Sequence, residues 1–268
     1  MELNSTSYHS QGLTRGLAAL RVLGAEPQPM SLAALSRALD LPKPTVVRLL
    51  AVMEREGFVT RVGQPPMFTL GPSLYALTES LGPADLSQLT APTMKALADE
   101  LGFTTNLGVL QGRAVLHLAV EEPARALRIA AGGFLDHTYC TGLGKMLLSA
   151  LDPEDVDEHV PLSEPYERFT DATITDRTSL DRELVRIRER GTAIDDQERN
   201  RGVRCMAILV PTADELAISL SVSGPAGELG AGDEARVLHV LNEAAAAIAE
   251  LPRLSGALQT VRDRLALA

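Results

Sequence analysis

Two short amphipathic helical segments with a break between them, at residues 31–57, limit the first part of this chain to few folds. Ser31 is a favourable N-cap residue, and three leucines follow it on one helical face: Leu32, Leu35 and Leu39. Asp-Leu-Pro at 40–42 interrupts the pattern. The second segment begins with Pro44 and stops at Gly57, residue types favoured at the start and just past the end of a helix. Two such helices joined by a short turn predict a helix-turn-helix.

The second of these helices has two chemically different faces. Its apolar residues form one stripe: Val46, Leu49, Leu50 and Met53. Its opposite face carries Thr45, Arg48, Val52 and Arg55, and Lys43 stands just ahead of its first turn. A helix that contacts DNA bases needs an apolar back and hydrogen-bond donors at the end that enters the major groove. An ordinary amphipathic helix with a solvated charged face has the same pattern, so this segment alone leaves both interpretations open.

A predicted hairpin follows the helix pair. The runs 58–62 and 67–70 surround a Gly/Pro-rich tip at 63–66, a pattern that indicates the wing of a winged helix. Arg61 lies near this tip, where it can meet a DNA phosphate or be a solvated charge on an edge strand.

A further helix is predicted before the pair. Leu13, Leu17 and Leu20 recur at helical spacing and predict its buried face, while Arg15 and Arg21 point elsewhere. With these arginines, residues 1–80 hold seven Lys and Arg against six Asp and Glu. The whole chain carries −10, so the remainder carries about −11. A weakly basic head on an acidic body fits one surface that contacts DNA and a larger part that does not.

The remainder has a mixed α/β pattern. A helix at 73–81 ends at Gly82-Pro83, where we place the boundary between domains 1–82 and 83–268, and a helix at 85–101 contains Pro92 as a kink or restart. The further predicted elements, in chain order, are strands at 104–110 and 114–120, a helix after Gly144, a helix at 179–190, strands at 204–210 and 215–223, and a last helix at 232–250.

The chain lacks the marks of membrane, secreted and metal-binding proteins. No run approaches the ~18 apolar residues that cross a bilayer, and the N-terminus lacks the order of a secretory signal, so we expect a cytoplasmic protein that does not bind membranes. Cys140 and Cys205 form no CxxC pair, so the sequence predicts neither a zinc ribbon nor a disulfide framework. We expect no cofactor and no metal.

Several spaced motifs resemble the IclR family of transcriptional regulators. In the first half they are Arg15-Gly16-Leu17, Ser31 to Leu35, Leu41 to Leu50, Glu56 to Val59 and Phe68 to Gly71, with Phe68 where the family usually has Tyr. In the second half they are Thr141 to Lys145, Thr173 to Asp176 as a strand entering a long helix, Gly191 to Glu198, Gly202 to Ala207 and Ser219 to Pro225. Gly142 stands where the family often has Ala, and Tyr139 and Cys140 where it often has His and a small residue.

The resemblance implies an α+β protein: an N-terminal winged helix-turn-helix and a C-terminal GAF-like α/β effector-binding domain, with a central sheet and a ligand cavity on one face. Carried over by position, the effector contacts fall on the backbone of Gly142 and Leu143 and on Asp195, Val203, Cys205, Ser221 and Ser223. We expect DNA contacts from Arg15, Lys43, Thr45, Arg48 and Arg61.

The local chemistry agrees with an effector site, although each feature has a simpler explanation. Gly142 and Gly144 precede a predicted helix, whose N–H groups can hold a carboxylate, or they allow close packing. Asp195 offers acceptors or caps a turn. In 215–223, apolar residues alternate with Ser219, Ser221 and Ser223, so one strand can border both a core and a pocket. Strand serines also face water or backbone partners, and Cys205 can be a plain buried thiol.

We therefore predict a ligand-responsive repressor or activator of a metabolic, catabolic operon. Its expected partners are double-stranded operator DNA and a small-molecule effector, for which carboxylate-like chemistry is one candidate. We also expect further copies of the chain in a dimer or tetramer, because one recognition helix contacts only a few base pairs. Two alternatives are a protein-interaction module and an enzyme with Cys205 as nucleophile. The enzyme needs a base, and the histidines at 117, 137, 159 and 239 lie in no catalytic motif.

Overall fold

The computed structural model describes residues 10–26, 28–74, 84–124, 135–230 and 232–265. The chain divides into two compact units, Met1–Gly82 and Pro83–Ala268. Residues 75–83, which carry most of the helix predicted at 73–81 and the Gly82-Pro83 break, lie outside the described residues.

The first unit combines helices with a small antiparallel sheet. Its described helices are α1 (Gln11–Ala25), α2 (Leu32–Ala38) and α3 (Lys43–Arg55), and its strands are β1 (Met30–Ser31), β2 (Val59–Val62) and β3 (Met67–Leu70), in the order β1-β3-β2. Ser31 caps α2, its Oγ accepting the N–H of Ala34 at 3.2 Å. The predicted winged helix-turn-helix is confirmed. β1 is too short to leave an alternating pattern in the sequence.

The core of the first unit lies where the helices meet the hairpin. Its buried side chains are Ala19, Leu23, Leu35, Val46, Leu50, Met53, Val59 and Phe68. The buried face predicted for α1 is wrong at two positions, because Leu13 and Leu17 are 63% and 49% exposed. α1 packs instead through Ala19 and Leu23, a narrower stripe of the same helix.

The second unit is built on one antiparallel sheet. Its described strands are β4 (Thr104–Gln111), β5 (Ala114–Glu121), β6 (Leu135–His137), β7 (Ala193–Asp196), β8 (Val203–Leu209) and β9 (Ser219–Pro225), in the order β6-β5-β4-β9-β8-β7. The helices are α4 (Ala84–Leu101), α5 (Gly142–Ser149), α6 (Arg177–Arg190), α7 (Glu234–Ala249) and α8 (Leu254–Leu265).

The two faces of this sheet have different coverings. Apolar side chains of α4, α7 and α8 form one continuous core with Leu107 of β4, Met206 of β8 and Leu220 of β9. On the other face, α5 and α6 pack over Ala193 of β7 and Ala207 of β8. A central sheet with helices on both faces confirms the mixed α/β domain that the resemblance implies.

Five predictions for this unit need correction. α5 begins at Gly142, not after Gly144, because Thr141 caps it two residues earlier. Residues 173–176 form no strand, and the side chain of Asp176 accepts the N–H of Ser179 as the N-cap of α6. β9 begins at Ser219 rather than 215. α7 is followed by α8, so it is not the last helix, and α4 continues through Pro92 without a restart.

Candidate functional sites

The outer face of α3 is exposed and cationic at its N-terminal half. Lys43 and Arg48 are exposed, and neither has a hydrogen-bond or ion-pair partner among the described residues. Thr45 is only half-exposed, because it lies closer to the buried stripe than its predicted position directly opposite. Arg15 is exposed on α1. Lys43, Arg48 and Arg15 are therefore accessible to solvent, and so to DNA.

Arg61 differs from the other predicted DNA contacts. It lies near the hairpin tip, as predicted, in β2, and its Nη2 is 2.8 Å from Oε2 of Glu54 in α3. Its guanidinium also lies 5.6 Å from the centre of the Phe68 ring. The guanidinium charge is therefore compensated within the unit, which the prediction of a phosphate contact at the tip did not anticipate.

A small pocket lies on the second unit between the sheet and the start of α5. All seven predicted effector contacts line it: Gly142, Leu143, Asp195, Val203, Cys205, Ser221 and Ser223. Cross-strand pairing explains the grouping, since Asp195 pairs with Cys205, and Cys205 pairs with Ser223. The cavity measures about 60 Å³. The structure thus brings together residues that are more than 80 positions apart in the sequence.

The N-terminus of α5 forms the roof of this pocket. Thr141 Oγ1 accepts the N–H of Gly144 at 3.1 Å, so that N–H is already used. Gly144 also has a packing role, because a Cβ there would lie 2.3 Å from the carbonyl oxygen of Thr138. The N–H groups of Gly142 and Leu143 precede the first intrahelical hydrogen bonds, and neither donates to an acceptor in the described part of the chain.

Asp195 is a buried carboxylate that also accepts a backbone hydrogen bond. Its Oδ1 accepts the N–H of Glu198 at 2.8 Å, so it caps the turn after β7 while lining the pocket. Burial raises the pKa of Asp195 to about 6, and Lys145 and the backbone donors oppose this shift. The turn cap that the sequence offered for Asp195 is therefore present, and its contact with an effector stays a prediction.

Further polar side chains that were not predicted also line the pocket, among them Asn106, His117 and Arg199. Asn106 is buried, and its Nδ2 donates to Ser223 Oγ at 3.3 Å while its Oδ1 has no partner among the described residues. His117 Nδ1 also has none there, and burial lowers the pKa of this imidazole. Arg199 Nε is 3.0 Å from Oδ1 of Asp136, and its guanidinium lies 4.1 Å from the centre of the Phe169 ring.

Part of this set had a signal in the sequence. Asn106 alternates with Leu107 in a strand whose other face is core, so a polar residue at that position indicates a second, polar environment. Asp136 and Arg199 come from a three-residue strand and a loop. Their pairing depends on the tertiary fold, which no local pattern shows.

The environment of Cys205 argues against a nucleophile. Burial raises the pKa of its thiol far above the ordinary range, and the neighbouring Asp195 raises it further. A reactive cysteine needs a cationic neighbour that favours the thiolate. The thiol instead contributes a weakly polar lining to the pocket.

A buried ion pair joins two of the segments that line the pocket. Lys145 of α5 contacts Glu198, both almost fully buried, and its Nζ also donates to the carbonyl of Ile194 at 2.6 Å. Burial raises the pKa of Glu198 to about 7 against the opposing effect of Lys145. This pair connects α5 to the turn that Asp195 caps.

Comparison with known proteins decides the family. The model of the IclR helix-turn-helix domain matches residues 12–63, and that of the bacterial transcriptional regulator IclR C-terminal domain matches residues 78–250. The chain belongs to the IclR family. As a member of it, the chain is a DNA-binding, ligand-responsive transcriptional regulator, which confirms the function predicted from its motifs.

Named relatives are regulators of the same kind. The HTH-type transcriptional regulator BhcR of Paracoccus denitrificans is 33% identical, over 73% of this chain and 71% of BhcR. The structure of a putative transcriptional regulator, RHA06195 from Rhodococcus sp. RHA1, has a TM-score of 0.65 at 25% identity and covers 94% of this chain and 100% of that chain.

A third comparison shows the fold. An IclR homolog from Microbacterium hydrocarbonoxydans, solved as a complex with 4-hydroxybenzoate, has a TM-score of 0.67 at 23% identity, covering 93% of this chain and 99% of its own. Within the described residues, no helix is long and apolar enough to cross a membrane. The same residues contain no cluster of three or more His, Cys, Asp or Glu side chains suited to a metal ion.

Proposed function

We propose that this IclR-family regulator binds its effector in the pocket between the sheet and α5, and that α3 carries the operator contacts. The observation that supports the pocket most is the convergence of side chains from β4, β5, β8 and β9 on one small cavity, where Asn106 Oδ1 and His117 Nδ1 have no partner among the described residues. Buried polar atoms are nearly always hydrogen-bonded in folded proteins. A ligand that supplies the missing partners accounts for them.

The chemistry of the lining favours a small carboxylate that also donates a hydrogen bond. The N–H groups of Gly142 and Leu143, together with Arg199, provide donors for an anionic group. Asn106 Oδ1 provides an acceptor for a hydroxyl or amine on the same molecule. The cavity of about 60 Å³ is smaller than the ~150 Å³ that hold benzene in an engineered cavity, so larger effectors must displace part of the lining.

Calorimetry with a panel of small carboxylates and hydroxycarboxylates, including 4-hydroxybenzoate, tests this proposal on the full chain. We expect binding by wild type and none by Ser221→Leu, whose side chain fills the cavity. Ser219→Ala is the matched control, because Ser219 lies on the same strand but donates to the carbonyl of Ile208 at 2.9 Å, away from the pocket lining. Equal binding by Ser221→Leu and wild type places the effector elsewhere.

We further propose a cytoplasmic homodimer or tetramer that controls a catabolic operon near its own gene. One recognition helix contacts only a few base pairs, so paired helices on a pseudo-palindrome are needed for useful specificity. Light scattering on the purified chain measures the oligomeric state, and a monomer that still binds one operator copy contradicts the dimer.

A further inference from the structure

Two valines of α3 are exposed to nearly the same extent at opposite ends of the helix. Val47 is 48% exposed and Val52 is 50% exposed, although the helix has an apolar core face of its own. Val47 directly precedes the exposed Arg48, and Ala51, one turn later on the same side as Val47, is also exposed. The N-terminal half of α3 therefore presents an apolar strip beside a cationic side chain.

The charges of the first unit distinguish the two ends of α3. At the N-terminal half, Lys43 and Arg48 are without partners in the described part of the chain. At the C-terminal end, Arg55 lies 2.9 Å from Glu56, and Glu54 is paired with Arg61. DNA phosphates are attracted by the cations at the N-terminal half of α3, whereas the cations at its C-terminal end are already paired with carboxylates. The N-terminal half of a recognition helix is also the part that contacts base edges.

We propose that Val47 contacts the C5-methyl group of a thymine in each half-site, next to the base that Arg48 contacts. On the major-groove edges of the four base pairs, the thymine methyl is the apolar group, and the remaining groups are hydrogen-bond donors and acceptors. A valine packed against a polar base edge removes water from donors and acceptors without replacing those hydrogen bonds. Packing against the thymine methyl instead buries two apolar surfaces, which is favourable. Val52, at the compensated end, makes no such contact. This inference rests on operator binding by α3.

Replacing thymine by deoxyuridine removes this methyl and nothing else, which makes the contact testable. The full chain first selects its operator from a random DNA library. Each thymine of that operator is then replaced singly by deoxyuridine, and Kd is measured for wild type, Val47→Ala and Val52→Ala. Both substituted positions, 47 and 52, are exposed, and thermal melts check that each variant is folded.

For wild type we expect one thymine per half-site whose replacement weakens binding about fourfold, the effect of burying one methyl-sized group. Val47→Ala removes the contact from both half-sites, so it should bind the thymine operator about as weakly as wild type binds an operator in which both of these thymines are replaced. It should lose nothing further on replacement of either thymine. Val52→Ala should keep the full wild-type response to deoxyuridine.

Three outcomes overturn the inference. They are indifference of wild type to every replacement, a wild-type response kept by Val47→Ala, and an equal loss of that response by Val52→Ala. If an operator is selected and depends on Arg48, these outcomes leave DNA binding by α3 intact and overturn only the role of Val47. Failure to select any operator overturns both.

Discussion

Arg48 and Arg61 are exposed arginines of the same unit with different surroundings. Arg48 has no partner among the described residues, whereas Arg61 is held by Glu54. We predict that Arg48→Ala weakens operator binding by about 1–3 kcal/mol, because a bidentate contact to a base is lost. Fluorescence anisotropy with operator and random DNA measures this, and equal losses on both DNAs contradict a base contact by Arg48.

Arg61 should contact a DNA phosphate in competition with its ion pair to Glu54. We predict that Arg61→Ala weakens binding to operator and random DNA equally and lowers the salt slope by about one unit. Glu54→Gln should strengthen both, because it releases the guanidinium that Glu54 holds. If Glu54→Gln leaves both affinities unchanged, Arg61 does not reach the DNA.

Asp195 combines a turn cap with a pKa near 6, and substitutions can separate the two. An anionic effector next to Asp195 should bind wild type about tenfold more tightly at pH 5.5 than at pH 7.5, because protonation below the pKa of about 6 removes the repulsion between like charges. Asp195→Asn keeps an acceptor for the N–H of Glu198 and should bind with little pH dependence. Asp195→Ala loses the cap and should abolish the response to effector. Calorimetry at both pH values measures these differences, and loss of binding by Asp195→Asn contradicts this role.

Among the elements of the second unit, α5 and the turn after β7 depend on one buried ion pair. We predict that Lys145→Met or Glu198→Gln alone lowers the free energy of unfolding by about 3–5 kcal/mol, since each leaves an unpaired buried polar partner. The double variant should recover much of this loss. Urea unfolding of wild type, the two single variants and the double variant gives the coupling free energy between Lys145 and Glu198. Losses that simply add in the double variant contradict a direct pair.

Periodicity predicted the elements well where one face of each is buried and the other is not. The alternation of serine with leucine and valine in β9 identified its two faces, because the sheet has a core on one side and a pocket on the other. The helix pair α2 and α3 was predicted for the same reason. α1 was oriented wrongly because it carries more than one apolar stripe, and the neighbours that select Ala19 and Leu23 are distant in sequence.

The pocket was predicted only where a motif or an alternating strand marked it. The seven positions carried over from the family all line one cavity. Asp136 and Arg199 were missed because their ion pair joins residues 63 positions apart. The pairing of Arg61 with Glu54 was missed for a similar reason, since it joins a strand to the preceding helix.

At the scale of the whole molecule, the two units should be separable. We predict that limited proteolysis leaves a stable acidic fragment close to residues 90–268, because the units have separate cores and the sequence between them contains Gly82-Pro83. Mass spectrometry of the digest identifies the fragment. Progressive degradation without a stable product contradicts independent units.

Communication between the units is the central claim, because a ligand regulates DNA binding only by favouring one conformation over another. The most direct measurement is the operator Kd of the full chain, by fluorescence anisotropy, with and without a saturating carboxylate found by calorimetry. We predict a change of about 5- to 150-fold for wild type, a typical allosteric coupling. Ser221→Leu should have the wild-type Kd without ligand and no response to it. An unchanged wild-type Kd with the pocket occupied, or an equal response from Ser221→Leu, contradicts regulation through this pocket.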